Sequence, residues 1–265
     1  PVTMRLQVIG GGQMGEALVG GLVASGWATA GEIHVVEPDA DRRIELESSV
    51  PGLTCGAEPL NGVDALIAVK PHIVAAVCAA LTAAGVGRVL SIAAGVRLDT
   101  LEEGLGAGAA VVRAMPNTPS LVGEGAAAVA AGTNAGDEDL RWASEVLSAV
   151  GTVVVVDEPM MDAVTGLSGS GPAYLFLLAE ALVDAGVAEG LTHETATALT
   201  EQMLTGATTL LRRSDAPPSV LRQNVTSKGG TTAAGIAVFE AADFSGLVAA
   251  VVSAASERSR ELGGA

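Results

Sequence analysis

The residues with the clearest chemical signature stand near the start of the 265-residue chain. There Leu6-Gln7-Val8-Ile9 runs into Gly10-Gly11-Gly12-Gln13-Met14-Gly15 and then into a helical pattern. Glycines at the first, third and sixth places of a strand-to-helix turn fit a diphosphate. The first (Gly10) permits the tight turn, the second (Gly12) lets phosphate approach the backbone, and the third (Gly15) lets helix and strand pack closely. The helix opened by Gln13 and Met14 then offers free N–H groups and partial positive charge to the anion. A glycine-rich turn alone is an ordinary loop; the strand before it and the helix after it make it a dinucleotide site. Glu37 closes the next apolar run, Ile33–Val36. A carboxylate there accepts hydrogen bonds from a ribose 2′-OH and repels a 2′-phosphate, which favours NADH. Arg42 and Arg43 follow within one helical turn, within reach of a phosphate.

A second anion site is written near the other end. Gly229-Gly230-Thr231-Thr232 places two glycines and two hydroxyls just ahead of a helical pattern, a natural clasp for a carboxylate. On residue types alone, a plain threonine cap explains the same letters. Ser168-Gly169-Ser170-Gly171-Pro172 offers hydroxyls and N–H groups on another loop, or a helix start built for close packing. Lys70 and Lys228 are the only lysines in a chain of net charge −16, so local positive potential is scarce. His34, His72 and His193 and Cys55 and Cys78 are scattered singly, without metal-ligand spacing.

These residues are carried by two kinds of sequence. Up to about residue 156, short apolar runs alternate with helical patterns. The runs are Arg5–Ile9, Ile33–Glu37, Asp64–Val69, Arg88–Ile92, Val111–Arg113, Ala126–Ala130 and Thr152–Val156; the helices are Gln13–Ala24, Asp39–Ser48, Ile73–Ala84, Asp99–Leu105 and Asp137–Ala149. That alternation predicts parallel β-α-β units in a doubly wound sheet, an α/β fold. Beyond it only helices are legible: Pro172–Ala185, 193–213 with Thr192 as its cap, Ser219–Val225, Thr231–Ala242, and Ser245–Leu262 with Ser245 as its cap. About 105 residues of small-residue helices make little core, so association with other copies is expected to cover them. The acidic balance argues against a nucleic-acid binder. No run reaches the roughly 18 apolar residues of a membrane span, and a cytoplasmic protein is expected.

Four further segments lie in order along the chain: Ala68-Val69-Lys70-Pro71, Arg113-Ala114-Met115-Pro116-Asn117-Thr118-Pro119, Asp162 to Tyr174, and Asn224 to Thr232 followed by Gly235-Ile236 and Phe239-Glu240. With the glycine-rich turn they resemble pyrroline-5-carboxylate reductase, the last enzyme of proline biosynthesis, over essentially the whole chain. Lys228 departs from the family, which usually has Pro there.

The resemblance implies an N-terminal Rossmann domain (1–158) and an all-helical substrate-binding and dimerisation domain (159–265). It also implies an intertwined homodimer, with a decamer of five dimers common in the family, and reduction of 1-pyrroline-5-carboxylate to L-proline with NADPH or NADH. The family leans to NADPH, against the reading of Glu37. Carried over residue by residue, Thr232 is the catalytic contact, and Gly230, Thr231, Ser170 and Glu158 join it at the substrate. Gly10, Gly12, Gln13, Met14, Gly15, Glu37, Ala68, Val69, Lys70, Pro71, Ala94, Gly95, Asn117 and Asn224 surround the cofactor; no metal is implied. An acidic loop position at Asp215 also matches. A β-hydroxyacid dehydrogenase shares the plan, but Leu175 and Leu178 stand where it needs Lys and Asn, and apolar groups donate no proton. A related imine or keto-acid reductase and a non-enzymatic NAD(P) sensor remain as rivals, the latter needing no second anion site.

Overall fold

The computed structural model describes residues 3–264. Eight strands form one sheet: β1 (Leu6–Ile9), β2 (Ile33–Val36), β3 (Thr54–Gly56), β4 (Ala65–Ile67), β5 (Arg88–Ser91), β6 (Ala110–Met115), β7 (Gly125–Ala131) and β8 (Gly151–Val155), in the order β3-β2-β1-β4-β5-β6-β7-β8. β1 to β6 run parallel; β7 is antiparallel to β6, and β8 follows β7. The strand order reverses between β1 and β4. In an open α/β sheet a ligand settles at that switch, outside the carboxyl ends of the strands.

Burial explains why β1 and β2 read as unbroken apolar runs: all four residues of each are buried, as expected where helices cover both faces. One face packs Leu18, Val19 and Leu22 of α1 (Gln13–Ala24), Leu46 of α2 (Ala40–Ser49), and Trp142, Val146 and Leu147 of α5 (Asp137–Ser148). The other packs Val74, Cys78 and Leu81 of α3 (Val74–Ala83) and Leu98, Leu101 and Leu105 of α4 (Leu98–Leu105). Gln7 is the polar exception in β1. Its amide is fully buried, donates to the Leu60 and Val63 carbonyls at 3.0 and 2.8 Å, and accepts from the Leu60 N–H at 2.8 Å. It thereby fixes the passage from β3 to β4.

The helical part begins with α6 (Met161–Val164) and one π-helical turn, Thr165–Gly169. Then follow α7 (Gly171–Ala188), α8 (His193–Arg213), α9 (Pro218–Asn224), α10 (Thr231–Ala241) and α11 (Phe244–Gly263). Thr192 caps α8, its hydroxyl accepting from the Thr195 N–H at 3.2 Å. The cap of α11 is not Ser245: the Asp243 carboxylate accepts from the Gly246 N–H at 3.2 Å, and Asp243 sits at φ 50°, a left-handed conformation that Asp tolerates.

By compactness one unit runs to Ser170 and takes in the chain from Ala254 onward, and the other is Gly171–Ser253. The physical tie is visible. Ser259 Oγ donates to Asp162 Oδ1 at 2.6 Å, and a Cβ on Gly263 would lie 3.2 Å from the Gly95 carbonyl oxygen. The second unit, Gly171–Ser253, buries very little: α7 has no buried residue, and α8 buries only Ala196 and Thr200. The helical stretch Glu158–Ala188 is long and apolar enough, by length and composition alone, to cross a membrane, and none of its apolar window is buried. Counting consecutive apolar residues misses it, because Gly, Ser and Thr interrupt the run without adding charge.

His34 is buried on β2, its Nδ1 2.8 Å from Thr54 Oγ1 and its ring filling the space a Cβ on Gly56 would need. Burial holds the imidazole pKa below its usual value, with Glu47 acting in the opposite direction. A histidine in the unfolded chain titrates near about 6.5. Below that pH the unfolded chain takes up a proton that the folded one resists, so stability falls as pH falls. Urea unfolding of wild type should therefore weaken between pH 7 and pH 5 more steeply than that of His34→Gln. Parallel pH profiles would remove His34 as the cause.

Candidate active site

The turn between β1 and α1 is shaped by atoms that leave no room for side chains. Gly10 has φ +107°, and a Cβ on it would lie 2.6 Å from the Ala68 carbonyl oxygen and 2.9 Å from Val69 Cγ1. A Cβ on Gly15 would run into the Gly10 carbonyl oxygen. Gly12 is different: its missing Cβ would point into open space. The outer two glycines thus hold the turn tight, and the middle one keeps its approach clear. The first bond within α1 runs from the Glu16 N–H to the Gly12 carbonyl. The N–H groups of Gln13, Met14 and Gly15 therefore precede the helical ladder, the arrangement that takes a diphosphate. The residues present fit a dinucleotide.

At the end of β2 the Glu37 carboxylate is held by two backbone donors, the Gly11 N–H at 2.9 Å and the Asp39 N–H at 3.1 Å. Arg42, on α2, donates from Nε to the Gly11 carbonyl at 2.8 Å and from its two terminal nitrogens to Glu45 at 3.0 Å and Glu16 at 2.6 Å. Arg43 donates to the carbonyls of Glu37 and Pro38 at 2.7 and 2.9 Å.

Ala68 and Val69 follow β4 and flank Gly10. Lys70 is exposed and makes no ion pair among the described residues; its carbonyl caps the short turn Pro71–Ile73. A cleft of about 740 Å³ opens nearby. Its lining includes Pro71 and His72 ahead of α3, Ala94 and Gly95 after β5, and Thr165 and Ser170 in and after the π-helical turn. Arg258, Ser259 and Leu262 of α11 complete one wall. Pro71, Ala94, Gly95 and Ser170 were expected from the sequence; the α11 residues were not. Nothing local marks them, since a helix tail looks the same whether or not it folds back on a distant loop.

Two expected ligand contacts are engaged inside the protein. Asn117 Nδ2 donates to the Ser168 carbonyl at 3.0 Å, and its Oδ1 accepts from the Ala126 N–H at 2.9 Å. Its amide braces the loop after β6 against the π-helical turn. Glu158 Oε1 accepts from the Leu98 N–H at 2.7 Å and from Arg113 Nη1 at 3.0 Å. It thus joins the start of α4, the buried Arg113 of β6 and the entry to the helical part.

In the second unit, Gly229 adopts φ +72°, and Gly230 packs against the Ser227 hydroxyl. Gly230 caps α10, whose first internal bond runs from the Ala234 N–H to the Gly230 carbonyl. The N–H groups of Thr231, Thr232 and Ala233 precede that ladder, and both threonine side chains are exposed, as are Asn224 and Lys228. A carboxylate fits such a helix start.

Known proteins share this plan. Residues 158–262 match the family described as pyrroline-5-carboxylate reductase dimerisation, and residues 5–95 match that described as NADP oxidoreductase, coenzyme F420-dependent. The pyrroline-5-carboxylate reductase of Pseudomonas aeruginosa is 42% identical over 98% of this chain and 97% of its own. That of Synechocystis is 42% identical over 99% of each. Among solved structures, a pyrroline-5-carboxylate reductase from Coxiella burnetii superposes with a TM-score of 0.93 at 36% identity over 98% of both chains. The NADP-bound Plasmodium falciparum pyrroline carboxylate reductase gives 0.82 at 31% identity over 98% of both.

The bracing reading of Glu158 has a measurable consequence. Removing its carboxylate leaves Arg113, whose side chain is only 7% exposed, without its partner. Glu158→Ala should cost about 3 kcal/mol of unfolding free energy, the low end for breaking a buried pair. Unchanged stability with a raised substrate KM would return Glu158 to the substrate.

Proposed function

The chain belongs to the pyrroline-5-carboxylate reductase family, and from that premise we propose how its own residues reduce 1-pyrroline-5-carboxylate to L-proline with NAD(P)H. The observation that carries the reading is the pair of anion cradles built from backbone: the turn Gly10–Gly15 ahead of α1 and the bend Gly229–Thr232 ahead of α10. One suits the diphosphate of the cofactor, the other the carboxylate of a small ring.

The substrate ring carries a C=N bond and must gain a hydride at carbon and a proton at nitrogen. When bound, the dinucleotide supplies the hydride. Gly10, Gly12, Gln13, Met14 and Gly15 hold its diphosphate, and Ala68, Val69, Lys70 and Pro71 line its path beyond the switch point. Ala94 and Gly95, with φ +76° at Gly95, form the backbone wall nearest the reacting end. Lys70 offsets part of the phosphate charge in a chain that is otherwise acidic. The N–H groups of Thr231 and Thr232, after Gly230, hold the carboxylate, and the Thr232 hydroxyl hydrogen-bonds the ring and fixes the face presented to hydride. Ser170 supplies a hydroxyl from the cleft wall, and Asn224 a further polar contact. A protonated imine accepts hydride readily, so orientation rather than a strong acid is the protein's task.

Residues 159–265 serve as the substrate-binding and dimerisation region. We propose a homodimer, assembling further into a decamer of five dimers, working in the cytoplasm. The uncovered second unit supports association, and two free cysteines, Cys55 and Cys78, suit a reducing compartment.

The purified protein should oxidise NADH or NADPH when given pyrroline-5-carboxylate; no turnover with either would reject the assignment. Thr232→Ala should lower kcat/KM about ten- to hundredfold, the worth of one charge-assisted hydrogen bond, with cofactor Kd unchanged. A loss confined to cofactor affinity would move Thr232 out of the substrate site.

A further inference from the structure

We propose that this reductase selects NADH over NADPH, and that the selection is made by an anchored carboxylate, Glu37, together with a guanidinium, Arg42, held away from the cofactor by Glu16. The inference deepens the cofactor reading above and rests on it.

The geometry has three parts. First, Glu37 is not a mobile acid that a phosphate could push aside. Its two oxygens accept from the Gly11 and Asp39 N–H groups at 2.9 and 3.1 Å, and its backbone N–H donates to the Gly56 carbonyl at 2.8 Å. The bond to Gly11 ties it to the same turn that receives the diphosphate. The carboxylate therefore stands where the adenosine ribose must lie, with lone pairs left for a 2′- and a 3′-hydroxyl. A 2′-phosphate there would face a fixed like charge.

Second, the arginine that could answer a 2′-phosphate is already committed. Arg42 reaches the same glycine from the other side, donating from Nε to the Gly11 carbonyl. Its remaining nitrogens are taken by Glu16 and Glu45 at 2.6 and 3.0 Å. Glu16 is the decisive partner: it sits in the first turn of α1 and also accepts from Ser49 Oγ at 3.2 Å. Bidentate binding of a phosphate by Arg42 would require breaking the Glu16 contact, the shortest of its three. Arg43 is tied to the backbone through Nη1, which donates to the carbonyls of Glu37 and Pro38.

Third, the surrounding charge is of one sign. Glu16 in the first turn of α1, Glu37 at the end of β2, and Asp39, Asp41 and Glu45 at and within the start of α2 outnumber Arg42 and Arg43 on these elements. A phosphate adds up to two negative charges to an excess that already exists, whereas a free 2′-hydroxyl adds none.

The test measures binding of NADH and NADPH separately, together with kcat/KM for each, on the full-length protein. Wild type should bind NADH at least tenfold more tightly than NADPH. Glu37→Gln keeps the shape of the side chain, removes the charge, and should narrow the gap. Adding Glu16→Gln should release Arg42 and narrow it further, by more than Glu16→Gln does alone. Arg42→Ala in that double variant should undo the second gain. Equal affinities in wild type would overturn the proposal. So would a specific loss of NADPH binding in Arg42→Ala alone, because it would show the guanidinium already holding a phosphate. Tight NADH binding with no response to either Gln substitution would locate the selection elsewhere. Failure of both dinucleotides to bind would instead overturn the cofactor reading itself.

Discussion

A single close approach governs this molecule: the backbone at Gly10 passes against the Ala68 carbonyl, at the point where the strand order reverses. With a Cβ only 2.6 Å from that oxygen, no residue but glycine fits, and φ +107° demands glycine independently. Gly15 then closes on Gly10 from the helix side. These contacts pull the ends of β1 and β4 together and aim the first turn of α1 across the crevice between them. The same turn carries Gly11, whose N–H holds Glu37 and whose carbonyl holds Arg42. The meeting of β1 with β4, the open approach at Gly12 and the anchoring of Glu37 and Arg42 therefore share one short stretch of backbone.

The charge balance explains why backbone does so much of this work. The chain carries 30 acidic residues against 14 Lys and Arg, and most arginines around the crevice are answered by carboxylates. Arg42 meets Glu16 and Glu45; Arg113 meets Glu158; Arg258 meets Glu261. Fixed dipoles at helix starts offer positive potential without adding a long side chain that must be ordered. Two such starts, at α1 and α10, suit two anions whose attraction to the protein as a whole is opposed by its net charge.

Much of this was legible in the sequence, and what was not has physical causes. The glycine turn announced itself because each glycine answers a separate steric demand. The buried strands showed as apolar runs because helices cover both faces. β3 was missed: Thr54-Cys55-Gly56 is only half-buried and too short to form a pattern. The reversal at β7 was invisible because apolar alternation carries no direction. Asn117 and Glu158 lie in segments that resemble the family, yet their side chains reach Ser168 and Ala126, and Arg113 and Leu98. Sequence displays a polar residue but not the distant group that satisfies it. The π-helical turn and the return of α11 to the first unit were hidden for the same reason, since both depend on partners far along the chain.

The helical unit turns composition into a constraint on assembly. Aromatic residues are scarce, and all three phenylalanines fall in this unit: Phe176, Phe239 and Phe244, each 43% exposed or more. Leu177, Leu199, Val238 and Leu247 are exposed by 58% or more. At roughly 25 cal/mol per Å² of apolar surface, such side chains would give their stabilisation only once covered, and although α7 and α8 pack along each other, with Ala196 close to Gly186, these side chains stay exposed. Residues 158–262 match a dimerisation family, so the missing cover is another chain. The Gly229–Thr232 bend stands among helices whose apolar side chains this chain leaves uncovered. With the substrate carboxylate held at that bend, as proposed above, substrate binding and oligomer formation would be coupled by mass action.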